Sequence, residues 1–231
     1  RRGARVAIFA RSLRPDSIEE HYSQTLRSEG KVSFHKVDIT KKSDIQTALS
    51  DVTQRWGIPH ILINNAGLAS GLNNFEEGDI EDWEVMIDTN IKGLLYISRK
   101  IAPLMKERKS GHIINIGSIA GKEVYPKGNI YCATKHAVDA LTKGMRIDLL
   151  EHNIKVTQIA PGMVETEFSL VRFKGDKERA AGVYDKIDPL SAIDIAETVL
   201  FAATRPAHVN INDMLVMPTS QASATNIIRR D

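Results

Sequence analysis

Tyr131 and Lys135 lie four residues apart inside a run with helical periodicity, so their side chains project from one helix face. A tyrosine ordinarily titrates near pH 10, and a neighbouring ammonium favours the phenolate. Such a pairing makes a phenol a usable general acid or base near neutrality. An ordinary helix-surface pair has the same spacing, so the surroundings matter. Ser118 follows the apolar strand running from His112 to Gly117, ahead of Tyr131. A strand-end serine can hydrogen-bond the same substrate oxygen that a tyrosine protonates. Asn90 falls on the inner face of a long apolar periodicity, where an unpaired amide costs about 1–3 kcal/mol. Two readings stay open for it: a tie between helix and strand backbone, or an anchor for a water that relays protons to Lys135.

These four side chains need a scaffold, and the chain alternates short β-like runs with longer helical ones. Strands are expected at Arg5 to Ala10, Lys31 to Asp38, His60 to Asn64, His112 to Ile116, Ile154 to Ile159 and Met214 to Met217. Helices are expected at 16–29, 43–56, 130–151 and 192–204. One more long helix carries Trp83, Met86, Ile87, Asn90, Ile91, Leu94, Ile97 and Ile101 at three- and four-residue steps. Val- and Ile-rich strands each followed by a helix indicate parallel strands covered on both faces. The fold class is therefore α/β, a doubly wound, Rossmann-like parallel sheet forming a single domain over residues 1–231. The connection at about 161–190 shows no periodicity. It leaves a strand's C-terminal end, where open α/β sheets bind ligands, and reads as a substrate loop.

Composition removes several function classes. The formal charge is +2, with no footprint for nucleic acid. No apolar run is long enough to cross a bilayer, and the start does not resemble a secretory leader. Cys132 is the one cysteine, which excludes an internal disulfide and suits a reducing, cytoplasmic setting. It reads as a packing residue, with no histidine placed to activate it. The seven histidines are scattered without metal-ligand spacing, and no metal site is expected.

Asn64-Asn65-Ala66-Gly67, Asn90, Ser118, Tyr131-Cys132-Ala133-Thr134-Lys135 and Pro161-Gly162 together resemble the signature set of the short-chain dehydrogenase/reductase family, in order and spacing. The resemblance covers essentially the whole chain. It implies that Tyr131 is the acid/base, that Ser118 polarises the substrate oxygen, that Lys135 lowers the tyrosine pKa and holds the nicotinamide ribose, and that Asn90 anchors a relay water. It implies cofactor contacts from Asp38 and Ile39 around the adenine, from Asn64, Ala66 and Gly67, from Pro161, Gly162 and Val164, and from Thr166 at the nicotinamide end. Asp38 also has a plainer reading as a turn residue before Thr40. After the strand ending at Ala10, an NAD enzyme usually places an acidic residue on the ribose 2′-hydroxyl. Here Arg11 and Ser12 follow instead, with Arg14 near, which suits a 2′-phosphate and so NADP(H). The family's glycine-rich turn does not occur in the sequence. By this resemblance the first strand, that phosphate loop and most of the first helix are expected to lie before Arg1.

The stretch Met163 to Asp176 and the tail from Val209 to Ser223 are similar to NADP-dependent 3-hydroxy acid dehydrogenases, which act on serine, allo-threonine and malonic semialdehyde. A carboxylate substrate needs a cation. Arg172 is the first candidate and Lys174 the second, against the plainer reading of solvated loop charges. The family assembles through helices matching 80–108 and 130–151, so a homotetramer is expected. The competing readings are a broader carbonyl or 3-oxoacyl reductase on the same tetrad, and a non-catalytic dinucleotide sensor on the same fold.

Overall fold

In a computed structural model, residues 3–12 and 29–230 are described. The expected helix at 16–29 falls almost entirely outside them, as does Arg14. The elements are β1 (Val6–Ala10), β2 (Val32–Lys36), α1 (Lys42–Trp56), β3 (Ile61–Asn64), α2 (Ile80–Ile87), α3 (Leu94–Arg108), β4 (Gly111–Ile116), α4 (Asn129–Asp148), β5 (Ile154–Pro161), α5 (Phe168–Arg172), α6 (Lys177–Gly182), α7 (Ala192–Ala203) and β6 (Asp213–Val216). Every strand pairing is parallel, as alternation with helices requires. β1 pairs with β2 in one sheet, while β3, β4, β5 and β6 lie side by side in that order in a second. Ile113 of β4 sits opposite Leu62 of β3 and Val156 of β5, so an aliphatic row crosses the larger sheet.

One core joins this sheet to α1 and α3 through Ile45, Leu49, Ile97, Ile101, Met105, Ile113 and Val156. Each such side chain, fully buried, contributes roughly 1.5–3 kcal/mol. A second cluster lies against α7 around Ile114 and Ile159, and a third surrounds Tyr131. Coverage on both faces fails at β3, where Leu62 and Asn64 are buried but Ile61 and Ile63 are exposed.

Two expectations are corrected. The single long helix through residues 83–101 is broken between α2 and α3 by a wider π-helical turn, Asp88–Gly93. That turn carries Thr89 and Asn90 into the interior, and Gly93 lets it press against Ile39, whose Cγ2 would lie 2.7 Å from a Cβ there. A hydrophobic repeat does not register the one extra residue in such a turn. The connection after β5 is not structureless, for it holds α5 and α6. Helices of five and six residues are too short to generate a readable period.

Candidate active site

Burial fixes the central group. Tyr131 and Lys135 occupy the inner face of α4, 8% and 7% exposed. The 3-10 turn Ile119–Gly121 packs on the same helix so closely that a Cβ on Gly121 would stand 2.6 Å from the Lys135 carbonyl. That contact sets Ser118, the residue capping the turn, beside Tyr131. The Ser118 hydroxyl accepts from Ala120 N at 3.1 Å and acts on the Tyr131 phenol to favour the phenolate. Lys135 Nζ donates to the Ile116 carbonyl at 2.9 Å and lies 5.9 Å from the Tyr131 ring centroid. Burial brings the Lys135 ammonium down to about 8.

Burial pushes the Tyr131 phenol up, and the groups opposing it are the Ser118 hydroxyl and the Arg172 guanidinium. Lys135 is itself desolvated and donates to a backbone carbonyl.

Asn90 spends its amide on protein. Its Oδ1 accepts from Leu68 N at 2.8 Å, and its Nδ2 donates to the Leu68 carbonyl at 2.8 Å and to Thr134 Oγ1 at 3.0 Å. These bonds build a tie between elements. It binds the segment after β3 to α4 one residue before Lys135. Thr134 Oγ1 in turn donates to the Tyr131 carbonyl at 2.8 Å.

Arg172 closes the other side. At the end of α5, its guanidinium carbon is 5.5 Å from the Tyr131 ring centroid and 5.6 Å from that of Tyr125. A cavity beside it is lined by Gly71, Asn73, Asp82, Trp83, Tyr131 and Arg172. Phe168 of the same short helix meets Tyr131 edge-on at 5.5 Å. Lys174, the second candidate cation, is committed elsewhere: its Nζ lies 2.9 Å from Asp82 and 3.5 Å from Asp79. Cys132 is buried in the Tyr131 cluster with its thiol pushed up by burial, a poor nucleophile.

Residues 1–176 match the family model for short chain dehydrogenase. The chain belongs to that family. It is 45% identical over 196 residues to the NADP-dependent 3-hydroxy acid dehydrogenase YdfG of Salmonella typhi, covering 84% of this chain and 79% of the relative. It is 38% identical over 229 residues to the NADP-dependent 3-hydroxy acid dehydrogenase of Schizosaccharomyces pombe, covering 98% and 88%. A solved structure of the closed form of serine dehydrogenase complexed with NADP+ superposes with a TM-score of 0.87 at 40% identity, over 99% of this chain and 91% of that one.

In this dehydrogenase the exposed backbone at the strands' C-terminal ends fits an elongated dinucleotide. Ala66 and Gly67 are exposed beyond β3, and a Cβ on Gly67 would crowd Asn90 Oδ1 at 3.3 Å and Lys135 Nζ at 3.5 Å. Glycine there leaves an approach to both groups. Asn64 serves differently: its amide donates to Ser98 at 3.0 Å and to Asn115 at 2.8 Å, leaving its side chain a strut. Asn115 passes the network to Thr142 at 2.9 Å, a buried polar line that the sequence reading missed. Gly162 is held by Val216 at 2.7 Å, and Val164 bridges to Leu190. Thr166 is exposed and accepts from Phe168 N at 3.2 Å. At the other sheet Arg11 and Ser12 are exposed past β1. Asp38 takes the plainer course, accepting from the Thr40 hydroxyl at 2.7 Å and backbone at 3.0 Å. The Thr40 hydroxyl chiefly holds the Asp38 carboxyl below its usual range, and Arg11 adds to the effect. Ile39 rests on Gly93 at the margin of the main core.

Among the described residues no group of metal-ligating side chains converges, and no helix is long and apolar enough to cross a membrane.

Proposed function

We propose that this chain transfers a hydride between NADP(H) and the 3-hydroxyl or 3-carbonyl of a short 3-hydroxy acid of the serine, allo-threonine or 3-hydroxypropionate type. The observation that carries the substrate class is Arg172, a cation 5.5 Å from the Tyr131 ring on a shared cavity. An acid/base phenol with a guanidinium beside it suits a molecule bearing a hydroxyl and a carboxylate a few ångströms apart. Relatives named as 3-hydroxy acid dehydrogenases support the same class.

NADP(H) supplies the hydride donor or acceptor. Ser118 holds the substrate oxygen, Tyr131 exchanges its proton, and Arg172 binds the carboxylate by charge-assisted bonds. Lys135 and the exposed Ala66–Gly67 backbone hold the nicotinamide half, with Asn64 acting through its backbone. Pro161, Gly162, Val164 and Thr166 line the far side. Asp38 and Ile39 flank the adenine end, while Arg11 and Ser12 meet the 2′-phosphate. A single domain is assigned to residues 1–231. A homotetramer in the cytoplasm follows from the same family likeness, and exposed Leu95 on α3 and Ile147 on α4 support packing through those helices.

Nicotinamide absorbance tests the proposal with NADP+ or NAD+ against L-serine, L-allo-threonine and 3-hydroxypropionate. Turnover with NADP+ that falls at least about a thousandfold in Tyr131→Phe is expected, the scale of a lost general base and more. Cofactor binding without turnover of any 3-hydroxy acid would send the assignment back to a wider carbonyl panel.

A further inference from the structure

The geometry points to Tyr125, on the segment between Ser118 and α4, as the positioning residue that gives Arg172 its selectivity for a carboxylate. The inference rests on the proposed role of Arg172 and deepens it. A guanidinium carries five N–H donors on three edges, and a carboxylate is gripped best by two parallel donors on one edge. Arg172 Nε donates to the Gly71 carbonyl at 3.2 Å, and one Nη2 hydrogen goes to the Tyr125 phenol oxygen at 2.9 Å. The backbone closes the same loop, since Gly71 N donates to the Arg172 carbonyl at 3.0 Å. With Nε and one Nη2 hydrogen taken, the Nη1 side of the guanidinium is the edge left for an anion.

Two fixed points and a plane determine how that edge is aimed. Gly71 and Tyr125 are the points, and the Tyr125 and Tyr131 rings, 5.6 and 5.5 Å from the guanidinium carbon, bound its tilt. Tyr125 is itself held, because its ring lies against Gly128, the residue that begins α4, and any Cβ there would collide with it. Burial pushes the Tyr125 phenol up, so it stays protonated and acts as a neutral acceptor rather than a competing anion. An arginine on a long stem, without such a partner, would spend its rotamer freedom in finding the anion.

The test compares 3-hydroxypropionate with its methyl ester under saturating NADP+, in the unmodified chain, Arg172→Ala, Tyr125→Phe and Gly128→Ala. Tyr125→Phe removes one oxygen and keeps the ring. It should lower the acid-to-ester ratio of kcat/KM about tenfold, through KM for the acid, the scale of one lost hydrogen bond to a charged group. Gly128→Ala, which displaces the ring, should lower the ratio as well and carries the test should the phenylalanine variant not fold. Arg172→Ala should lower it furthest. An unchanged ratio in Tyr125→Phe, with Arg172→Ala still depressed, overturns the role of Tyr125 and leaves Arg172 standing. Equal losses on acid and ester would make Tyr125 a packing residue and overturn the inference too. A ratio indifferent to Arg172→Ala would sink the carboxylate assignment beneath it.

Discussion

Asn90→Ala separates a structural from a chemical role for a residue buried beside the site. Asn90 is 2% exposed, and its side chain satisfies both polar groups of the Leu68 peptide at 2.8 Å. Truncation leaves a buried N–H and a buried C=O without partners, each costing about 1–3 kcal/mol. Thr134 keeps its own donation to the Tyr131 carbonyl, so the third lost contact adds little. The sum is about 2–6 kcal/mol, a large fraction of the roughly 5–15 kcal/mol that holds a typical domain together. Urea unfolding followed by tryptophan fluorescence should show that loss as a lower midpoint at an unchanged slope. The residual activity, measured where the variant is still folded, should fall less than about a hundredfold. A variant that keeps its unfolding free energy within about 1 kcal/mol yet loses turnover more than a hundredfold would refute the argument. It would return Asn90 to the proton relay.

His112 is 3% exposed in β4, bonded to Thr157 at 2.8 Å through one ring nitrogen, and burial lowers its pKa to about 4. Its contribution to stability is therefore complete above the unfolded value near 6.5 and fades as pH falls toward 4. Between about pH 7.5 and about pH 4.5 the loss should approach roughly 2–3 kcal/mol, and His112→Gln should remove that part of the acid slope in urea titrations. Exchange of Arg11 for Glu should cut kcat/KM for NADP+ by about ten- to a hundredfold while sparing NAD+, since it sets a carboxylate against a 2′-phosphate. An equal loss with both cofactors would remove Arg11 from that role.

Several features were legible in residue order because they are local. Helical spacing alone put Tyr131 and Lys135 on one face, and Val- and Ile-rich runs marked the strands that turned out parallel. Turn-sized preferences were legible too, for the Asp38–Thr40 turn is a contact between residues two apart. Arg172 could be singled out as a cation, but not what it touches. Its partners Gly71 and Tyr125 lie 101 and 47 residues away, and no periodicity links them. The same holds for the line from Asn64 through Asn115 to Thr142, and for the bond from Asn90 to Thr134. The ionisation of Tyr131 and Lys135 was not legible either, because desolvation depends on everything packed around a group rather than on its neighbour in sequence. Sequence alone determined which side chains the helices and strands carry and which face they share. Tertiary packing decided which of them meet and how dry the meeting place is, since those contacts join segments whose separation along the chain encodes no distance.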